Sequence, residues 1–169
     1  MITAIFIIPS TMLATVSALS AQNIGAKNYG RARTVLKYAV MITTLYGIIV
    51  ALIVEYAAPT LLGLFTKDTT VILLGVQYIS SYIMDTIFAG IHFCFSGYFA
   101  ADGKSYIGFI HNIISISLVR VPGSYIASHI YPHNLFPMGL AAPLGSLLSV
   151  IICLIAYRIL KKKDELSVL

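Results

Sequence analysis

Residues 34–57 read TVLKYAVMITTLYGIIVALIVEYA. As a helix rising about 1.5 Å per residue, this stretch is about 36 Å long. The hydrocarbon core of a bilayer is about 30 Å thick. The two charges, Lys37 and Glu55, stand near the ends of the run, where each reaches water; Glu55 is read as interfacial. A helix also satisfies every backbone polar group internally, which lipid demands. The stretch is therefore expected to cross a membrane.

Four more runs have this character, at about 2–21, 71–99, 106–130 and 138–160. They are too long, and alternate too little, for the strands of a membrane barrel. The expected fold is all-α: a polytopic membrane protein with five transmembrane helices. Composition agrees. Of the 169 residues, 59% are hydrophobic and 10% charged, against about 25% charged in a soluble domain. Mean hydropathy is +0.91. These values exclude an ordinary cytosolic globule, a disordered chain and a nucleic-acid binder. The partner they imply is the lipid bilayer. The net charge of +5 arises at the ends of the apolar runs, so it reports orientation rather than a polyanionic ligand.

Basic residues cluster in the first connection (Lys27, Arg31, Arg33), the third (Lys104) and the C-terminal tail (Arg158, Lys161, Lys162, Lys163). With five alternating helices these fall on one side, which is expected to be cytoplasmic, in the cell membrane. Met1 would then lie outside, with no polar segment before the first helix. That arrangement suggests one part of a larger protein. Ser17-Ala18-Leu19-Ser20-Ala21 has the small residues of a signal cleavage site, but nothing basic precedes the run and it exceeds the usual apolar stretch. It is kept as a span.

Polar groups inside the spans are costly. In the third run, Tyr78, Ser81, Asp85, His92 and Ser96 share one helix face. In the fourth, Ser117, Arg120, Ser124 and Ser128 do the same. Such faces serve either helix packing or a cavity wall. Asp85 and Arg120 are expected about 21 Å and about 15 Å from the outer ends of antiparallel neighbours. They are read as an ion pair or as parts of a shared pocket; the other reading has Arg120 snorkel outward and cap carbonyls freed by Pro122. Pro122 and Gly123 should bend the fourth helix, with Pro9 and Pro143 acting similarly elsewhere. Gly145, Ser149 and Cys153 form a close-packing stripe.

Cys94 and Cys153 have no ligand-spaced partner and are read as reduced packing residues. His129 and His133 are separated by Pro132, so no metal site is expected. No nucleotide loop, nucleophile elbow or zinc motif occurs, and no catalytic residue or enzyme activity is assigned.

The stretch Ser17–Asn28, with Gln22, Asn23 and Gly25 at its centre, followed by Gly30-Arg31-Ala32, resembles a helix end and cytoplasmic loop of the multidrug and toxic compound extrusion (MATE) family. Phe95-Ser96-Gly97-Tyr98-Phe99 with Gly103-Lys104 resembles the end of its tenth helix. Val119-Arg120-Val121-Pro122 with Tyr125, and Met138-Gly139-Leu140-Ala141-Ala142-Pro143, resemble its eleventh and twelfth helices. The resemblance implies that residues 1–169 are helices eight to twelve, most of the C-terminal six-helix lobe. An N-terminal lobe, on the same or a separate chain, is then a partner. The resemblance further implies secondary active export of small amphipathic, often cationic compounds in exchange for Na⁺ or H⁺, with no other cofactor. The implied cavity candidates are Asp85, Arg120, Ser81, Tyr78, His92 and Ser117. The alternatives are a flippase of lipid-linked sugars, expected to carry more embedded basic residues, a non-transporting membrane scaffold, expected to lack a pocket, and an integral membrane enzyme.

Overall fold

The protein, described here from a computed structural model, is resolved into elements over residues 2–166; the side chains of Ala4 and of residues 163–166 lie outside the description, as do Met1 and the charge assigned to Lys163. Seven helices follow in order: α1 (Ile2–Gly25), α2 (Tyr29–Gly63), α3 (Thr69–Tyr82), α4 (Asp85–Ala101), α5 (Ser105–Ser115), α6 (Val121–Ile130) and α7 (Phe136–Leu166). A π-helical turn, Ile116–Arg120, joins α5 to α6. No strand occurs among the described residues.

Four helical stretches are long and apolar enough to cross a membrane: Ile5–Gly25, Tyr29–Gly63, Ser105–Ile130 and Phe136–Lys162. A fifth exists when α3 and α4 are taken as one span bent by 42°. The protein is thus a multi-pass membrane protein of the expected class. The helices extend beyond the apolar runs, because caps rather than hydropathy end them. Asn28 accepts a hydrogen bond from the Arg31 amide at 3.2 Å and starts α2. Asp68 accepts from the Thr70 amide at 2.8 Å and starts α3.

The third run corrects the expectation of a single helix over 71–99. It is broken at Ile83-Met84. The backbone switches there from a bond four residues back (Ile83 N–H to Ile79 O, 2.8 Å) to bonds three back (Thr86 to Ile83, 3.0 Å; Ile87 to Met84, 3.2 Å). Neither proline nor glycine stands in this turn, so hydrophobic periodicity could not reveal it. In contrast, α1, α2 and α7 run on through Pro9, Pro59 and Pro143.

The side chains of α2 are arranged as lipid requires. Its buried stripe is mostly small: Ala32, Leu36, Ala39, Thr43, Gly47, Val54 and Ala58. Its exposed face carries Met41, Leu45, Ile49, Leu52 and Ile53. Small residues let backbones approach, while large apolar ones face tails as apolar as themselves. Helix α4 is central and packs against α1, α2, α5 and α7. At Gly97, a Cβ would strike the Leu13 carbonyl of α1, so only glycine permits that approach. Around this crossing Val16, Leu36, Cys94, Phe95, Phe99 and Cys153 form the main buried cluster. Both cysteines are free and buried, in the packing role read from the sequence.

Candidate functional site

The break between α3 and α4 sets Asp85 in the first turn of α4. Helix amides freed at such a terminus carry partial positive charge, which favours a carboxylate there. Asp85 is only 1% exposed. A carboxylate so deep in an apolar span needs a partner, and Arg120 supplies it: its Nη2 donates to both Asp85 oxygens at 3.3 Å. The guanidinium therefore turns inward, and the snorkelling alternative does not hold.

Arg120 reaches this position through two local features. The π turn is closed by the Val121 amide donating to the Ile116 carbonyl. A π turn aligns positions five apart rather than four, which brings Ser115 inward and turns Ser117 outward. Gly145 of α7 leaves room for the arginine stem: a Cβ there would lie 2.6 Å from Arg120 Cγ. Ser115 Oγ then donates to the Gly145 carbonyl at 2.6 Å.

Arg120 Nη2 also donates to Ser146 Oγ at 2.6 Å. Ser146 Oγ lies 3.4 Å from His92 Nε2. The His92 ring meets the His111 ring edge-on, with centroids 5.4 Å apart. His111 Nε2 is 2.9 Å from Ser96 Oγ. The result is a polar string from Asp85 to Ser96, contributed by α4, α5, the π turn and α7, in otherwise apolar surroundings. His92, Ser96, His111 and Asn112 line a cavity of about 240 Å³. The Nδ1 atoms of both histidines are buried and have no hydrogen-bond partner among the described residues.

The candidates read from the sequence divide into two sets. Asp85, Arg120 and His92 come together as described. Ser81 does not join them, because the helix break parts α3 from α4, whereas Tyr78 stays within electrostatic reach of Asp85 and Arg120. Tyr78 stacks on Tyr82, and Ser81 donates to the Tyr78 carbonyl at 3.0 Å while packing against Gly139 of α7. Ser117 is exposed and lies off the buried string. Sequence reasoning did not assign Ser146, His111 or Ser115 to the site. The signal for Ser146 was weak: it adjoins Gly145 in the small-residue stripe of α7, and a straight-helix reading of α5 hid Ser115.

Gln22, Asn23 and Gly25 lie in the last turns of α1. The Asn28 amide donates to the Asn23 carbonyl and the Lys27 amide to the Ile24 carbonyl, both at 2.8 Å. Lys27 adopts a left-handed backbone, φ 57°. This double closure ends α1 and turns the chain into α2. No group of three or more potential metal ligands occurs among the described residues.

Among known families, the MatE family model matches residues 1–126, well over half of the chain. The match ends within α6, so the likeness read at residues 138–143 lies beyond it. No curated protein and no solved structure matches the chain.

Proposed function

The chain belongs to the MatE family of transporters, and on that premise we propose that it is one lobe of a secondary active exporter of amphipathic, often cationic compounds, driven by Na⁺ or H⁺. In this reading residues 1–169 are helices eight to twelve, and a second lobe supplies the opposite wall of the cavity. The lobe sits in the cell membrane with its basic C-terminal tail in the cytoplasm.

One observation carries the reading: a buried carboxylate at a break in a spanning helix, held by a single arginine. Discontinuous helices near mid-membrane are where transporters bind their coupling ions. A cation arriving at Asp85 competes with the Arg120 guanidinium for the same two oxygens. Release of Arg120 frees Ser146, and Ser146 leads to His92 on the cavity wall. Charge at Asp85 is thereby coupled to the surface a substrate meets. An ion drives such a change only by binding one state better than the other. The cavity that His92 and His111 line supports transport over a purely scaffolding role.

The test is dye uptake by everted vesicles from the native membrane, which carries any partner lobe. Asp85→Asn removes the competing charge and is expected to abolish ion-driven accumulation of a cationic dye while the protein level stays constant. Unchanged accumulation in Asp85→Asn would overturn the coupling role.

A further inference from the structure

The hydrogen bonds of the buried string fix where its protons sit. Ser96 Oγ gives its single hydrogen to the His92 carbonyl, 2.9 Å away. It therefore accepts from His111 Nε2, which makes that nitrogen the N–H of a neutral ring. His92 follows the same logic. Its Nδ1 is buried without a hydrogen-bond partner among the described residues. A buried N–H without an acceptor is rare, so the proton of His92 sits on Nε2, 3.4 Å from Ser146 Oγ. Ser146 in turn accepts from Arg120 at 2.6 Å and stands close enough to the Asp85 carboxylate to donate to it. The donors thus line up in one direction, from His92 Nε2 through Ser146 Oγ to Asp85.

His92 and His111 also form one end of the cavity of about 240 Å³. Its other end is made by Ala100 and Ser105, which flank the turn that holds Lys104. The distance from His92 to Ala100 along α4 is about 12 Å. Liquid water takes about 30 Å³ per molecule, so the cavity has room for several. Asp85 lies about two helical turns, or about 10 Å, farther from the Lys104 turn than His92 does. Hydroxyl, imidazole and cavity therefore follow one another from the carboxylate toward that end of the bundle.

We propose that His92 and Ser146 relay protons between Asp85 and this cavity, so that the ion exchanged at Asp85 is H⁺ and passes by the Lys104 end. The relay presupposes the coupling role of Asp85 given above. A hydronium in the cavity gives a proton to His92 Nδ1. The Nε2 proton then passes to Ser146 Oγ as the Ser146 hydroxyl proton moves to an Asp85 oxygen. One proton is taken up and one delivered, His92 is left neutral, and Arg120 loses the charge that held it. The reverse order returns the proton to the cavity.

The surroundings favour a proton over a metal cation. Arg120 of the π turn acts on both Asp85 and His92, and His111 of α5 faces His92. Tyr78 and Tyr82 of α3 lie within electrostatic reach of Asp85. Among the described residues, α1 and α2 set no charged group against Asp85. A hard cation such as Na⁺ is held by several oxygens. The carboxylate is faced instead by a guanidinium, which has no lone pair to offer, and by the Ser146 hydroxyl. Imidazole, in contrast, is a ready proton shuttle.

The test is time-resolved infrared absorption of the protein in mild-detergent micelles after a drop in pH. The carboxylic-acid C=O band that is missing in Asp85→Asn reports protonation of Asp85. The band is expected to grow on acidification, and Na⁺ added at fixed pH is expected to leave it unchanged. His92→Gln keeps an N–H for Ser146 but cannot carry a proton. It should slow growth of the band about 100-fold, the lower end of what a positioned proton-transfer group contributes. The final height should stay the same once the pH is low enough to protonate Asp85 fully. Ser146→Ala should slow the growth likewise. Imidazole added to His92→Ala should restore the rate, and pyrrole, similar in size but not basic, should not; a merely structural role for the ring predicts no such difference. Growth at the wild-type rate in His92→Gln and Ser146→Ala, or removal of the band by Na⁺ at fixed pH, would overturn the relay. Dye accumulation that survives Asp85→Asn would overturn the coupling reading instead, whatever the infrared rates.

Discussion

Arg120 holds two partners with one terminal nitrogen, and the consequences differ for each. Asp85 is 1% exposed while the Arg120 side chain keeps 30% of its surface. Removing the arginine therefore strands the more deeply buried charge. Arg120→Gln is expected to cost about 3–5 kcal/mol in an unfolding titration in micelles, and the double variant with Asp85→Asn should recover most of that loss. The hydroxyl of Ser146, which accepts from Arg120 at 2.6 Å, is smaller in effect. Ser146→Ala should cost about 1.5–3 kcal/mol, as expected for a hydrogen bond to a charged group. Ser117→Ala, at an exposed position, should stay within about 0.5 kcal/mol. Similar losses for the two serines would mean that the π turn does not set the register described. The Asp85–Arg120 pairing was legible in the sequence, because two opposite charges in lipid have few other options. Ser146 was not, because a serine costs little to bury and so leaves little trace in hydropathy.

At the scale of elements, α4 is the axis on which the others are hung. Its contact with α1 depends on Gly97, where a Cβ would meet the Leu13 carbonyl, whereas one added at Gly63 has nothing within 4 Å. Gly97→Ala is thus expected to lower the unfolding midpoint, with an overpacking cost of about 1–3 kcal/mol. Gly63→Ala should be neutral or stabilise by up to about 1 kcal/mol, through loss of freedom in the unfolded chain. An equal response at the two positions would contradict the close crossing of α1 and α4. The places of α1, α2 and α7 could be read from their apolar runs, although the helices are 24, 35 and 31 residues long and outrun those stretches. The break at Ile83-Met84 and the π turn could not. The break contains no proline or glycine, and the π turn precedes Pro122 instead of bending at it. Both place Asp85 and Arg120 against each other, so contacts between distant elements select them over a straight helix.

For the molecule as a whole, the exposed face of α2 tells lipid from water. Leu45 and Leu52 are 61% and 56% exposed on a helix whose buried stripe is mainly Ala, Gly and Thr. A charge on that face near mid-helix should disfavour insertion. Leu45→Arg is expected to cost about 3 kcal/mol in a membrane-insertion assay. A second arginine at Tyr56, one residue from the already charged Glu55, should cost far less. Insertion unaffected by Leu45→Arg would show that this face meets protein instead of acyl chains.

The sequence by itself determined the solvent of this protein, its helical class and the location of its buried charges. Hydropathy sums over neighbouring residues, and the cost of a charge in hydrocarbon belongs to the residue that carries it. Only the tertiary structure decided that Ser146 and His92 extend the ion pair toward a cavity, while Ser81 and Ser117 stand apart from it. Those choices depend on the phase of each helix. A break and a π turn reset that phase, and residues far apart in the chain hold both in place.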